Sequence, residues 1–206
     1  MIALALLVAS PTALHFGDPI GNVSEWIRNS DNAQTKANGA VLFKVIFNPE
    51  GRPDRCIIVK RVGDETVEPL VCGIIFKRFR SQSSLGADGK PTYMIFQRSA
   101  VFMTGGGSKA SLKEPPLVVV DMTGTLAPKD DGKRMALAVA VDRKGAIIAC
   151  APTQWARGKE IALVEAACRS LPASWKPIRE VNATNEPIEY LRGVEIEFRR
   201  VSASVP

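Results

Sequence analysis

The chain has 206 residues, of which 46% are apolar and 23% are charged, and its formal net charge is +6. This composition excludes an intrinsically disordered protein and fits one medium globular domain or two small ones. The positive charge does not indicate nucleic-acid binding. The basic residues are scattered in short groups, such as 77–80, 132–134 and 198–200, without the interleaved aromatic residues of a single-strand binding groove.

The chain begins with an apolar stretch, MIALALLVASPTA (1–13). It is shorter than the ~20 residues of a bilayer-spanning helix and is typical of the apolar core of a secretory signal peptide, which we predict over residues 1–16. Against this, no Lys or Arg precedes it, and Pro11 stands where a small residue is expected before a cut after Ala13. The alternative is a partly buried N-terminal strand or helix. No other stretch is apolar and long enough to span a membrane, so we expect a mature chain without a stable membrane span.

Alternation of apolar residues over 41–47 indicates a strand with one buried face. The sequence NPEG (48–51) after it, and DRKG (142–145) later in the chain, are each typical of a hairpin turn that leads into a second strand. Ahead of these strands, a short helix within residues 19–30 is predicted to lay Trp26 and Ile27 on the fold.

The residues after the hairpin have helical spacing, with positions i, i+3, i+4 and i+7 on one inward stripe. These positions are Glu68, Val71, Cys72 and Ile75. Thr66 is the candidate N-cap, and Pro69 is tolerable in the first turn. A loop over 86–91 and a closing strand over 92–103 follow.

A Gly- and Pro-rich linker is predicted over residues 104–116, and LVVVDM (117–122) beyond it predicts a short strand that opens a second unit or adds to a sheet edge. Another helical stripe consists of Val164, Ala167, Cys168 and Leu171. The last strand spans residues 189–201. Its predicted inward residues are Val194, Ile196 and Phe198, and its water-facing residues are Glu195, Glu197 and Arg199.

Two stretches of the sequence resemble each other. Residues 43–59 align with 137–153 at an offset of 94, and the residues that follow align at an offset of 96. The aligned pairs are Phe43–Leu137, Val45–Val139, Phe47–Val141, Gly51–Gly145, Cys56–Cys150, Cys72–Cys168, Phe79–Trp175, Pro91–Pro187 and Phe102–Phe198. Chance does not bring both cysteines, a turn glycine, a proline and two aromatic positions into one order, so we infer an internal duplication.

The duplication predicts an α+β fold of two tandem β-β-α-β units, each a small antiparallel sheet covered by one helix. With its N-terminal helix the first unit spans 17–103, and the second spans 117–203. Apolar or small residues stand on faces expected to meet water; they are Ile57, Val59, Ala136, Ala138 and Ala140. They suggest that the units pair sheet to sheet, with each other or in a homodimer.

One cysteine falls on the second strand and one on the helix of each copy. A unit of about 65 residues buries only about 60% of its unfolded surface, so a covalent tie would stabilise it. The repeat selects Cys56–Cys72 and Cys150–Cys168 among the three pairings that four cysteines allow, and these bridges predict an oxidising compartment. The spacings fit neither a zinc site nor a redox pair with thiols two residues apart. Buried free cysteines remain the alternative.

No catalytic or cofactor-binding constellation stands out. The one histidine, His15, lies in the predicted leader, which argues against a Ser–His or Cys–His nucleophile pair. The acidic pairs Asp64–Glu65 and Asp130–Asp131 fall in loops, where solvation explains them, although a lysine or carboxylate base stays open. We therefore predict a non-enzymatic protein without cofactor or metal.

Residues 39–103 resemble the C-terminal domain of the TonB energy-transducer family. The shared features are a hairpin with a turn glycine, a helix that ends near an aromatic and a basic residue, a G-x-P sequence and a last strand. Residues 135–201 look like a more diverged copy. The family's Ser-Ser-Gly after the second strand is replaced by KRVGD in the first copy and APTQW in the second.

The resemblance implies the fold and a periplasmic location but not force transmission to an outer-membrane receptor. It leaves open the recognition of an extended peptide that adds as a strand to a sheet edge. The leading hypothesis is an exported module that binds an extended peptide or envelope protein and is linked to TonB-dependent outer-membrane transport. The alternative is a structural or dimerising envelope protein without a transport role. A third hypothesis, an enzyme or thiol oxidoreductase, requires cysteines that exchange readily with glutathione.

Overall fold

The computed structural model describes residues 14–20, 38–102, 118–123, 130–153 and 159–201. Its elements are β1 (Gly39–Phe47), β2 (Pro53–Gly63), α1 (Val67–Arg78), β3 (Ser84–Leu85), β4 (Pro91–Phe102), β5 (Val118–Thr123), β6 (Arg134–Val141), β7 (Ile147–Pro152), α2 (Lys159–Ser174) and β8 (Tyr190–Val201). Residues 1–13 of the predicted leader, most of the predicted helix at 19–30 and the linker at 104–116 lie outside the described residues.

The strands that the structure describes form one mixed sheet with the order β2-β1-β4-β8-β6-β7, in which β3 also pairs with β4 and β5 with β8. β4 and β8 run parallel and pair through Tyr93–Tyr190, Met94–Leu191 and Ile95–Arg192. The α+β class is confirmed, but the predicted arrangement of two units, each with its own small antiparallel sheet, is not confirmed, because the strands of both halves join in one mixed sheet. Each closing strand alone would leave an edge of unpaired backbone groups, and pairing β4 with β8 satisfies part of both edges.

The two helices lie on opposite faces of this sheet. Val45 of β1 packs in the cluster of Val71 and Ile75 of α1. The next residue, Ile46, packs in the cluster that includes Val164 and Leu171 of α2. Because successive side chains of a strand point to opposite faces, α1 covers one face and α2 the other.

The centre of the sheet is covered on both faces. Ile46 of β1 and Ile95 of β4 pair across the strands and are buried in the α2 cluster. They belong to the runs 45–47 and 94–96, which are continuously apolar, the pattern of strands buried on both faces. The alternation at 41–47 predicted a strand with only one buried face. That prediction did not take the continuous apolar runs into account.

The predicted hairpin turns are present, with Gly51 and Gly145 at φ of 73° and 86°. Any side chain is strained in this left-handed region. At Gly51 space is also short, since a β-carbon would lie 2.0 Å from the carbonyl oxygen of Ser81. The β1–β2 turn therefore packs closely against the segment that follows α1.

Helix α1 differs in detail from its predicted stripe. Its buried residues are Val67, Val71, Ile74 and Ile75. Glu68, predicted to face inward, is instead partly exposed, and its Oε1 accepts a hydrogen bond from Arg61 Nε at 2.8 Å. A carboxylate facing the core without a partner would be strongly destabilising, which explains the difference. Thr66 occupies the N-cap position but makes no capping side-chain hydrogen bond.

The chain divides into a first half, which contains β1 to β4 with α1, and a second half, which contains β5 to β8 with α2. The predictions for the second half agree more closely with the structure. Val164, Ala167 and Leu171 of α2 are buried, as are Val194, Ile196 and Phe198 of β8. β5 forms where LVVVDM predicts a short strand, and it adds in parallel to the second part of β8.

Residues 14–20 belong to the folded structure. His15 forms an isolated bridge with Leu85, and Pro19 forms one with Ser81. Phe16 is partly buried and packs against apolar clusters on both halves of the chain. Residues 14–16, which belong to the predicted leader, thus contact the fold, whereas the alternative of a partly buried strand or helix over residues 1–13 lies outside the described residues.

A buried ion pair joins the two halves of the chain. Lys44 Nζ of β1 lies 2.6 and 2.8 Å from the two carboxylate oxygens of Glu180, and the two side chains are 14% and 6% exposed. Arg192 Nη2 of β8 donates to Gln97 Oε1 of β4 at 2.9 Å, and the Arg192 guanidinium lies 5.9 Å from the ring centre of Trp175. These contacts fix the segment that follows α2 to the strands of the first half.

Replacing Glu180 with Ala is expected to lower the free energy of unfolding by about 3–5 kcal/mol, because the Lys44 ammonium would stay buried without its partner. Urea denaturation followed by circular dichroism measures the loss. The double variant K44M/E180L should regain most of it, since neither charge then remains.

Asp88→Ala is the matched control, because Asp88 pairs with Lys90 on the exposed surface. It is expected to leave the free energy of unfolding nearly unchanged, because an ion pair on the exposed surface contributes little. A loss for E180A no larger than that of the control would show that the ion pair does not join the halves.

Candidate functional site

Both disulfides that the sequence predicts are present in the structure. Cys56 of β2 is bonded to Cys72 of α1, and Cys150 of β7 to Cys168 of α2, with Cα separations of 5.6 and 5.7 Å. No cysteine of the described residues is free. Because β2 and β7 stand at the two ends of the strand order, each bridge ties a helix to an outer strand.

The double variant C56A/C72A is expected to lose about 3 kcal/mol of unfolding free energy, because its bridge closes a loop of 16 residues. C150A/C168A should lose a similar amount, and denaturation under non-reducing conditions measures both. Peptide mapping without reductant should recover only the two pairs seen here. A Cys56–Cys150 peptide, or four free thiols in protein taken from its own compartment, would contradict the pairing.

The outer edge of β2 combines charges with an irregular backbone. Its register against β1 shifts twice along the strand. Arg61 lies 2.8 Å from Glu68 and 3.4 Å from Glu65, and Asp54 Oδ2 accepts a hydrogen bond from the backbone N–H of Ala183 at 2.7 Å. Bulges and charged side chains are the means by which outer strands avoid pairing with another chain.

β7, at the other end of the sheet, carries no charge. Its sequence is IIACAP, and within the described ranges it pairs with β6 alone. Its one register shift lies near the turn, between Ala140 and Val141 of β6. The backbone groups on the outer side of a last strand point away from the sheet and can pair with an added strand. Of the two outer strands, β7 is therefore the one without charged side chains and with the single register shift.

An exposed apolar side chain of α2 lies on the β7 side of the helix. Ile161 precedes Cys168 by seven residues, two turns along the same helix face, and Cys168 is bonded to β7. Ile161 is 50% exposed. The aligned residue of the first half, 96 positions earlier, is Glu65, which pairs with Arg61. The two outer edges thus differ in chemistry, charged at β2 and apolar at β7.

A cleft of about 930 Å³ opens where loops of the two halves meet. Its charged lining consists of Lys90, Arg143, Lys144 and Arg179 with Asp88, Glu186 and Glu189. Burial, and then the charge of Asp88, raise the pKa of Glu189, whereas hydrogen bonds from Asn182 and Thr184 lower the pKa of Glu186. Since both signs of charge are present in nearly equal number, the cleft does not select one class of charged ligand.

The acidic residues that the sequence singles out hold loops in place. Asp64 Oδ2 accepts a hydrogen bond from Asn38 N at 3.0 Å, and Asp131 Oδ1 accepts one from Arg200 N at 2.8 Å. His15 pairs with Leu85 through its backbone. In the described part of the chain, no group of three or more His, Cys, Asp or Glu side chains is placed to hold a metal ion.

The faces predicted to meet water are partly covered. The structure buries Ala138 and Ala140, half-buries Ile57 and exposes Val59 and Ala136. The prediction that these residues face water is thus wrong for Ala138 and Ala140. Ala140 packs in a cluster that Leu14 and Phe16 cover from the N-terminal side. The surface left for sheet-to-sheet pairing is smaller than the sequence suggested.

Sequence reasoning missed the ion pair of Lys44 and Glu180 at the junction, the region where the two halves of the chain meet. It also missed the exposed Ile161. A lysine inside an apolar strand, as in FKVIF, is a signal for Lys44. Its partner Glu180 stands 136 residues later, and no local pattern connects the two.

Comparison of the chain with protein-family models, with curated proteins and with solved structures found no match. Neither helix of the described residues is long and apolar enough to cross a membrane.

Proposed function

We propose that this chain is an exported, non-enzymatic module of the bacterial periplasm that binds an extended segment of another protein by strand addition at the outer edge of β7. The observation that carries the proposal is the contrast between the two outer strands. β2 is bulged and charged, whereas β7 is uncharged and is bonded through Cys150–Cys168 to the helix face that carries the exposed Ile161. In strand addition, main-chain hydrogen bonds supply affinity and alternate side chains supply specificity.

The proposal includes two diverged copies of a TonB C-terminal-like unit, with a role connected to TonB-dependent transport across the outer membrane. In support, the order β1-β2-α1-β4 recurs as β6-β7-α2-β8, and the aligned cysteines are bonded in the same way. Two disulfides support export, since such bonds persist in oxidising compartments such as the periplasm. The proposed partner is an extended segment of a receptor or another envelope protein.

A binding screen tests the proposal. The disulfide-bonded mature chain is titrated into fluorescent peptides of extended envelope-protein segments, and anisotropy reports binding. For a captured peptide, Ile161→Glu should weaken affinity about tenfold or more, because it removes an apolar contact and places a charge beside the edge. Methylating alternate backbone nitrogens of the peptide should abolish binding, since those nitrogens would no longer donate hydrogen bonds.

Phe76→Glu is the matched control, because Phe76 is an exposed apolar residue of the other helix, α1. It should leave the affinity within about twofold, as expected for a surface change away from the interface. Failure of the native chain to bind any peptide of the panel, or equal effects of the two substitutions, would refute strand addition at β7.

One observation favours the structural alternative, a dimerising envelope protein without a transport role. Val62 of β2 and Val101 of β4 flank Ala40 of β1 in one cross-strand row, and both valines are exposed. Light scattering separates the two functions. A dimer that V62K/V101K converts to a monomer would support sheet-to-sheet pairing, whereas a monomer that binds peptide supports strand addition.

A further inference from the structure

The N-terminal strap, residues 14–20, pairs as a strand with residues 80–85, the segment that follows α1. Backbone hydrogen bonds join His15 with Leu85 at 3.1 and 2.9 Å, Asp18 with Gln82 at 2.9 Å and Ile20 with Arg80 at 2.9 Å. The partner number falls by one for each residue along the strap, which is the register of an antiparallel pair. The chain's own N-terminal segment is thus bound through its main chain, in the manner of an added strand.

Two buried serines of residues 80–85 also contact the backbone of the strap. Ser84 is 2% exposed, and its Oγ accepts a hydrogen bond from the backbone N–H of Gly17 at 2.9 Å. Ser81 is 4% exposed, and its Oγ lies 3.3 Å from the carbonyl oxygen of Asp18 and 2.9 Å from that of Gln82. Buried hydroxyl groups need partners, and main-chain atoms provide them here. These contacts therefore recognise an extended backbone rather than particular side chains.

The contact at Gly17 admits no side chain. A β-carbon at this position would lie 2.2 Å from the carbonyl oxygen of Gln82 and 2.9 Å from Ser84 Oγ. Because the first of these atoms belongs to the backbone, it cannot rotate away, and a side chain would force the two segments apart. This position of the strap therefore selects glycine.

The side chains of Leu14 and Phe16 lie against the second half of the chain. Both pack against the cluster of Ala140 and Leu191, and the Phe16 ring lies 3.5 Å from the place of a β-carbon on Gly193. The exposed side chains of the strap are those of His15, Asp18 and Ile20. The bound pattern is therefore apolar at 14 and 16, glycine at 17 and any residue at 15.

The groove that holds the strap lies between residues 80–85 and the surface of Ala140, Leu191 and Gly193. We propose that this groove is a second peptide-binding site, which takes an extended segment of another protein with the pattern apolar-any-apolar-Gly, and that the strap is the competitor of this segment within the chain. Its hydrogen-bonding groups belong to residues 80–85 rather than to β7, so the inference does not rest on strand addition at β7.

The strap is suited to exchange because few of its side chains are buried. Among residues 14–20, Leu14 and Phe16 alone pack against the apolar clusters of the described structure, and both are half-buried. Elements with few buried apolar contacts open at a small fraction of the free energy of global unfolding. A partner segment with the same pattern can then take the place of the strap.

The first test releases the strap in the full, disulfide-bonded chain with Gly17→Val and adds the labelled peptide LHFGDPI, the sequence of residues 14–20 with blocked ends. Fluorescence anisotropy should show binding at least tenfold tighter to G17V than to the native chain, whose groove is occupied. Circular dichroism checks that G17V is folded. A folded G17V chain that does not bind the peptide, or equal affinity of the two chains, would overturn the proposal.

Variant peptides and a serine substitution test the mode of recognition. In the peptide, the change equivalent to Gly17→Val should abolish binding, Phe16→Ala should weaken it about tenfold, and His15→Ala should leave it within about twofold. In the G17V chain, Ser84→Ala should weaken binding roughly fivefold, because the N–H of the glycine loses its acceptor. Ser174→Ala, an exposed serine of α2, is the matched control and should have no effect. Equal losses for F16A and H15A peptides would contradict the pattern.

A second measurement does not require the G17V chain to fold. A protease site placed within residues 21–37 is cut after the native chain has folded, so that non-covalent contacts alone hold the strap. Excess labelled peptide should then replace it, and mass spectrometry should find the released fragment. A strap that does not exchange would overturn the proposal. Light scattering reports on the other occupant: a native dimer that G17V converts to a monomer would assign the groove to the strap of a second copy, against a partner protein.

Discussion

The parallel pairing of β4 with β8 determines how the rest of the molecule is arranged. β4 and β8 are the corresponding strands of the two halves, and they lie side by side and run in the same direction. A rotation about an axis parallel to these strands therefore relates the two halves. This rotation turns one half of the sheet over relative to the other. The helices therefore cover opposite faces, and each half needs cover on the face that its own helix leaves bare. The segment after α2 covers the first half, with Glu180 on Lys44. Residues 14–20 cover the second half, with Phe16 over Gly193. The buried ion pair and the packing of residues 14–20 thus follow from the same strand contact.

The elements could be predicted because their signals are local. Alternation over 41–47, the turn glycines and the helical stripe that ends at Leu171 each depend on residues within a few positions. The junction could not be predicted in this way, because it depends on which edges meet. Met94 and Leu191 pair across it, yet neither strand carries a periodic signal for this contact beyond the continuous apolar run at 94–96. The internal repeat was sufficient to predict which cysteines are bonded to each other. The contrast between the outer edges required the register shifts of β2 and the exposure of Ile161, which only the three-dimensional arrangement shows.

The unequal outer strands matter for the proposed function. A sheet with two open edges can add copies of itself at both ends and polymerise. Here the charges around Arg61 and the bulges protect β2 from pairing with another chain. If a second copy of the chain added at β7, its protected β2 edge could not accept a third copy, so a polymer would not form. In the proposed function, this contrast would let the chain accept one extended partner at β7 without forming a polymer. Ile161 and its aligned residue Glu65 show the contrast between the two edges at a single aligned position.

The disulfides have a consequence for how the chain is made. Each joins residues only 16 or 18 positions apart, and neither crosses from one half to the other. In a chain that emerges from an export channel with its N-terminus first, Cys72 can react with Cys56 while the second half is still inside the cell. When Cys150 and Cys168 arrive, no thiol of the first half is left to compete for them. If the chain is exported as proposed, oxidation in the order of arrival yields the native bonds without later rearrangement, and only the assembly of the shared sheet has to wait for its final strand.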